Sequence, residues 1–125
     1  MYGAGCLVQA KDTGRYLLNQ RSEYVSEPYT WSVIGGIIDE GEDAFEAALR
    51  EFSEETEFDG DYLYSKELHV HQSDKITYTI YHLVIASEFE PVLNWESISA
   101  EWFEYGDWPN PLHYGMEELI EVGKL

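Results

Sequence analysis

Glu51, Glu54 and Glu55 are the residues of this chain whose types and spacing suit chemistry. They stand at positions i, i+3 and i+4, so a helix of about 3.6 residues per turn points all three carboxylates to one side. Three like charges packed there repel one another, and stability alone disfavours them. A divalent cation reverses the sign of that interaction, because Mg²⁺ and Mn²⁺ prefer carboxylate and water oxygens. The cluster is therefore a candidate metal site.

A helix must present these carboxylates, and the residues before them predict one. From Ala44 onward, Phe45, Ala48, Leu49 and Phe52 follow the i, i+3, i+4, i+7 pattern of a core-facing stripe, with Glu51, Glu54 and Glu55 outside it at the border of a cleft. Gly41 to Asp43 make a helix start, with acidic residues at the positive end of the helix dipole. Upstream, Trp31 to Ile34 reads as a short strand running into Gly35-Gly36, where two bare residues mark a bend or a close backbone approach.

The other elements follow from turn signals and alternation. Ala4 to Ala10 and Arg15 to Gln20 read as a hairpin around Lys11-Asp12-Thr13-Gly14, and residues 22 to 30 as a loop. Tyr62 to His71 is a strand, and Ile76 to Ala86 a longer one, apolar on both faces as in the middle of a covered sheet. An acidic loop from 87 to 100, a short strand from Glu101 to Tyr105 and a closing helix from Leu112 to Val122 complete the chain. Leu112, Met116, Leu119 and Ile120 form that helix's buried stripe. The order of strands, helix, strands, helix predicts an α/β fold, with a mixed sheet between helical layers in one domain over 1–125.

Composition narrows the function. The 125 residues are 44% hydrophobic and 15% aromatic, which suits a folded core and not an acidic tail. A net charge of −18 with seven Lys and Arg argues against duplex nucleic acid as a partner. Cys6 is the only cysteine, so no disulfide forms within the chain. The N-terminus lacks the basic region of a secretory signal, and no apolar run reaches membrane-spanning length, so the expectation is a cytoplasmic protein off the membrane.

The stretch from Gly36 to Phe58 resembles the Nudix hydrolase signature. Gly36, Glu42, Arg50, Glu51, Phe52, Glu54, Glu55 and Phe58 satisfy eight of its nine defined positions, and Glu57 replaces the remaining glycine. Chance agreement at eight positions is on the order of 10⁻⁵ per chain. The resemblance implies the family's α/β/α sandwich and a Mg²⁺- or Mn²⁺-dependent hydrolysis of a nucleoside diphosphate linked to another group. By position, Glu51, Glu54 and Glu55 would be metal ligands, Glu55 foremost, with the Gly36 carbonyl beside them. Glu42 and Arg50 would support them, Arg50 pairing with Glu54 or Glu42. Glu51 or Glu96 would be the general base, Glu96 because the family often has a glutamate ahead of a late Trp-containing strand, here Trp102. A Nudix-fold binding module that does not cleave is the alternative, but such modules tend to lose a metal glutamate and here all three are present.

Two departures stand out. Ile34-Gly35-Gly36 replaces the family's usual Pro-Gly-Gly. Glu57 takes the place of a helix-ending glycine, and a positive φ there would cost about 1 kcal/mol. The reading that avoids this cost runs the helix on to Phe58 or Asp59 and caps it at Gly60.

Substrate selection is less legible. The family's ADP-ribose marker, a proline about sixteen residues beyond the motif, is Asp74 here. A small nucleotide such as a (d)NTP or a nucleotide sugar is preferred, and an RNA 5′ end is disfavoured by the shortage of basic residues. Arg21 and Trp31 are candidate substrate contacts, with Trp95, Tyr29 and Tyr78 as further aromatics able to stack on a base. The expected state is monomer or homodimer.

Overall fold

The computed structural model describes residues 1–125, which form one mixed sheet and two helices. The strands are β1 (Tyr2–Ala10), β2 (Tyr16–Arg21), β3 (Trp31–Ser32), β4 (Ile34–Ile37), β5 (Tyr62–Gln72), β6 (Thr77–Ile85) and β7 (Ser97–Phe103). The helices are α1 (Ala44–Thr56) and α2 (Tyr114–Glu121). β1 is the central strand. β6 pairs with it in parallel from Tyr2↔Thr77 to Ala10↔Ile85, and its other edge meets β4 and then β2, both antiparallel. β5 closes one side against β6, and β7 closes the other against β2.

Alternation along β1 builds a core on each face of the sheet. Cys6 and Val8 point to one side and pack with Leu17, Ile34, Leu83, Ile85 and Phe52 of α1. Leu7 points to the other and packs with Leu18, Ile80, Trp31 and Met116 and Leu119 of α2. Successive strand residues face opposite sides, so two covered faces give the continuous apolar runs seen in β1 and β6. The α/β/α sandwich expected from the sequence is the observed fold.

α1 begins where the sequence placed it. The Asp43 carboxylate accepts from the Glu46 backbone N–H at 2.8 Å, and Glu46 accepts from the Asp43 N–H in return, a reciprocal cap. Its end differs from expectation. The helix stops at Thr56, and Glu57 is the cap at φ 58°, ψ 26°, its N–H donating to the Ser53 carbonyl. Gly60 is not the cap. Phe58 explains the early exit: its ring stacks on Phe52 at 5.2 Å and meets Phe89 at 5.0 Å, which turns the chain back onto the core. Burial of that ring outweighs about 1 kcal/mol of backbone strain at Glu57.

Smaller corrections have equally local causes. Gly35 and Gly36 do not form a bend after a strand but lie within β4, paired with Gly5 and Ala4. β7 begins at Ser97 and not Glu101, because its pairing with β2 extends to Arg21 through an irregularity in register. Ala47 and Ala48 are fully buried apolar residues of α1 beside Phe52, while Phe45 and Leu49 are half-buried. On α2, Ile120 is exposed and Met116 and Leu119 carry the packing.

Candidate functional site

The site begins at Arg50, whose guanidinium makes five hydrogen bonds. Nε and Nη2 fork onto the Glu42 carboxylate at 2.7 and 3.0 Å. Nη1 donates to Glu51 at 3.0 Å and to Glu54 at 3.1 Å, and Nη2 also reaches the Ile37 carbonyl at 3.0 Å. Glu42 in turn accepts from the Asp39 N–H at 2.9 Å. One planar cation thus ties the loop, the end of β4 and the outer face of α1 together, a task that needs a rigid fork of donors. Both pairings considered from the sequence, with Glu42 and with Glu54, are present.

Gly36 has a separate reason to be glycine. A β-carbon there would lie 2.5 Å from Glu51 Oε1, so the Glu51 carboxylate occupies the space a side chain would need. Strand, loop and helix therefore meet at Glu51.

The three carboxylates do not share one environment. Glu54 is outermost, its side chain 56% exposed. Glu51 is half-buried, and Glu55 is buried at 4% exposure with Oε2 lacking any hydrogen-bond partner. The expectation that all three lie outside the core holds for Glu51 and Glu54, and none of the three is among the residues lining the adjoining cavity. Glu55 departs from it because position 55 falls three residues after Phe52, on the flank of the buried stripe. Burial, then the charges of Glu96 and Glu51, push the Glu55 carboxyl up to about 9. Burial raises Glu51 as well, against the pull of Arg50.

A buried, unpaired, charge-crowded carboxylate is costly unless a cation completes it. No three of the His, Cys, Asp and Glu side chains converge tightly enough to cage an ion by themselves. Mg²⁺ does not require such a cage, since it keeps several waters and binds through one or two carboxylates together with substrate phosphates. The hard oxygens of Glu51 and Glu55, one of them orphaned, fit that mode.

Beside the carboxylates lies a cavity of about 460 Å³, sized for a small ligand. Gly35, Gly36, Arg21 and Glu96 line its carboxylate end. Glu96 is positioned through its backbone: its carbonyl accepts from Ser22 N–H at 2.9 Å, and its N–H donates to Asn94 at 2.9 Å. Arg21 lines the cavity, and its Nε and Nη2 bond to Ser26 at 2.6 and 3.0 Å. Trp31 does not line it. At 8% exposure Trp31 packs edge-on against Phe103 in the α2-side core, because the partner residues of β3 turn the indole inward.

At the other end of the cavity are side chains the sequence did not single out. Glu118 of α2 accepts from His69 at 2.7 Å and from His71 at 2.9 Å. His113 caps α2, its Nδ1 accepting from Gly115 N–H at 3.0 Å, and burial followed by the Arg21 charge lowers it to about 4. It is therefore neutral at physiological pH. The signal available in advance was the alternation of His69 and His71, which puts both on one face of a strand; nothing local announced Glu118.

The sequence matches the NUDIX domain family over residues 1–122. A comparison with curated proteins finds no match. Among solved structures, a Nudix hydrolase from M. smegmatis, RenU, superposes with TM-score 0.78 at 24% identity, covering 97% of this chain and 84% of that one. The MutT protein from Methanosarcina mazei Go1 gives 0.75 at 19% identity, covering 98% and 91%. The NUDIX domain of Shewanella oneidensis NrtR, solved with ADP ribose, gives 0.77 at 19% identity, covering 99% and 86%.

Proposed function

From the premise that this chain belongs to the NUDIX domain family and is by class a pyrophosphohydrolase, we propose that it cleaves the pyrophosphate linkage of a small nucleotide, a (d)NTP or nucleotide sugar, with Mg²⁺ or Mn²⁺. The observation that carries this reading is the pairing of an orphaned buried carboxylate, Glu55, with a neighbour, Glu51, that Arg50 and Gly36 hold in place. Glu51 and Glu55 would hold the ion, Glu55 as the principal ligand, with Glu54 and the Gly36 carbonyl beside them. Bound there, a divalent ion supplies neutralisation of phosphate charge and a water more acidic than bulk water.

The chain's own residues do the rest. Arg50 neutralises Glu42 and part of Glu51 and Glu54, fixing their rotamers without touching substrate. Glu96 lines the cavity, and its carboxylate takes the proton of the attacking water. Glu51 is less available for that role because Arg50 already holds its Oε1. The apolar walls, Val33, Ile80 and Met116, exclude water around the nucleoside portion. No helix is long and apolar enough to cross a membrane, and action in the cytoplasm is part of this proposal.

The test is a panel of nucleotide substrates assayed with Mg²⁺ and with Mn²⁺, alongside Glu55→Gln and Glu96→Gln. Metal-dependent release of a phosphorylated product by the wild type, lost in Glu55→Gln, is expected. Binding without turnover across the panel would replace this reading with that of a non-catalytic nucleotide-binding module.

A further inference from the structure

Gly3, Gly5 and Gly35 lack side chains for a common reason, the ring of Tyr78. Gly3 of β1 is the in-register partner of Tyr78 on β6, and Gly5 faces Gly35 on β4. A β-carbon on Gly3 would lie 2.6 Å from the ring Cδ2, and one on Gly5 would lie 2.6 Å from the hydroxyl oxygen. At Gly35 it would collide with the hydroxyl outright. The ring therefore lies flat across two strands and delivers its hydroxyl to the backbone just before Gly36. Filling core volume does not require this: a branched aliphatic standing off the sheet would do so without three bare positions.

The hydroxyl opens onto the cavity. Tyr78 is among the cavity's lining residues, and Glu55 Oε2 is the one sealed side-chain polar atom that lacks a partner. The phenol itself has no hydrogen-bond partner in the protein, so its donor is free. Burial, then the nearby Glu55 charge, raises the phenol well above its usual range, which keeps the proton in place at neutral pH.

Donors for phosphate are scarce at this end of the cleft. Arg50 has committed itself to five acceptors, and two of Arg21's nitrogens are bonded to Ser26. A neutral phenol adds a donor without bringing a further charge out of water. We propose that Tyr78 is a substrate-contact residue whose hydroxyl donates a hydrogen bond to a non-bridging phosphate oxygen of the bound nucleotide. The three glycines exist to seat it. This inference rests on the pyrophosphohydrolase reading for the identity of the ligand.

Tyr78→Phe keeps the ring on its glycines and removes the hydroxyl alone. Affinity is read by calorimetric titration with a methylene-bridged nucleoside triphosphate analogue in the presence of Mg²⁺, and turnover by the (d)NTP assay. The variant is expected to bind the analogue roughly 10- to 100-fold more weakly, the range of a hydrogen bond to a charged group, with kcat/KM reduced in parallel and Tm unchanged. Unchanged affinity and kcat/KM would overturn the contact while leaving the hydrolase reading intact. A fall of several degrees in Tm would overturn it too, by showing that the hydroxyl serves the fold. A wild type that binds the analogue but turns over no nucleotide would sink the hydrolase reading alone, and the weaker affinity of Tyr78→Phe would still establish the contact.

Discussion

Replacing Glu55 with glutamine separates the cost of the candidate metal site from its use. Without metal, the native carboxyl titrates near 9, against about 4.5 for the unfolded chain. A folded-state value raised in this way means that the native protein retains a proton the unfolded chain has released. The associated stability is complete below pH 4.5 and is lost as pH rises towards 9. The slope in that window is about 1.4 kcal/mol per pH unit, so near pH 7 the loss reaches about 3 kcal/mol. With an unfolding entropy of about 2 cal/mol/K per residue, that corresponds to roughly 12 °C in Tm for a chain of this size. Glu42 and Glu88, held low by Arg50 and Arg15, change stability only on the acid side of this window. Glutamine keeps the shape and removes the titration.

In chelator, calorimetric scans from about pH 5 to pH 8 should show the wild-type Tm falling steadily relative to the variant's, since the lowered His113 and the raised Glu51 contribute to both proteins alike. The two should diverge by roughly 10 °C at the upper end. Saturating Mg²⁺ should raise the wild-type Tm most where it was lowest and leave the variant unmoved. Parallel pH curves for the two proteins, or a wild type more stable than the variant at pH 8 in chelator, would refute the reasoning.

Three further outcomes follow from the same geometry. Glu57→Gly removes a left-handed backbone strain and should raise stability by about 1 kcal/mol, with turnover largely intact; urea unfolding and a (d)NTP assay check both halves. Arg50→Lys replaces a five-bonded fork with one ammonium, and should cost about 2 kcal/mol and more than about tenfold in kcat/KM. Retention of full activity in that variant would show that Glu51 needs no such support. Gly36→Ala places a methyl where the Glu51 carboxylate lies, so the Mg²⁺-induced rise in Tm should shrink or vanish even if the protein folds. A normal metal response would remove Gly36 from the site.

The parts legible in advance were those written in short-range spacing. The capped start of α1, the alternating strands and the Gly36–Glu42–Arg50–Glu51 constellation each depend on residues within one or two turns or strands. What escaped depends on partners distant in sequence. Glu57 takes a strained conformation because Phe58 finds Phe89, and Glu55 is buried because β1 and β4 pack beneath α1. Trp31 looked available for stacking, but the core under α2 claims it. Glu118 meets its two histidines across 49 and 47 residues. Gly35 was conspicuous as a bare position, but the cause it shares with Gly3 and Gly5 lay on a strand some forty residues downstream.

The parallel pairing of β1 with β6 also dictates an order of assembly. Tyr2–Ala10 leaves the ribosome well ahead of its full-length partner, Thr77–Ile85, which starts 67 residues after Ala10. At about 5–20 residues per second, β1 waits several seconds for that partner. Until then it is sheltered only by the antiparallel contacts with β2 and β4, which cover short stretches of its length, and by the packing of α1 on one face. Closing a loop of that length is entropically slow, which makes this pairing the natural bottleneck of folding. Tyr78 cannot reach its glycines before the bottleneck is passed, so the cleft's hydroxyl is among the last features of the molecule to be installed.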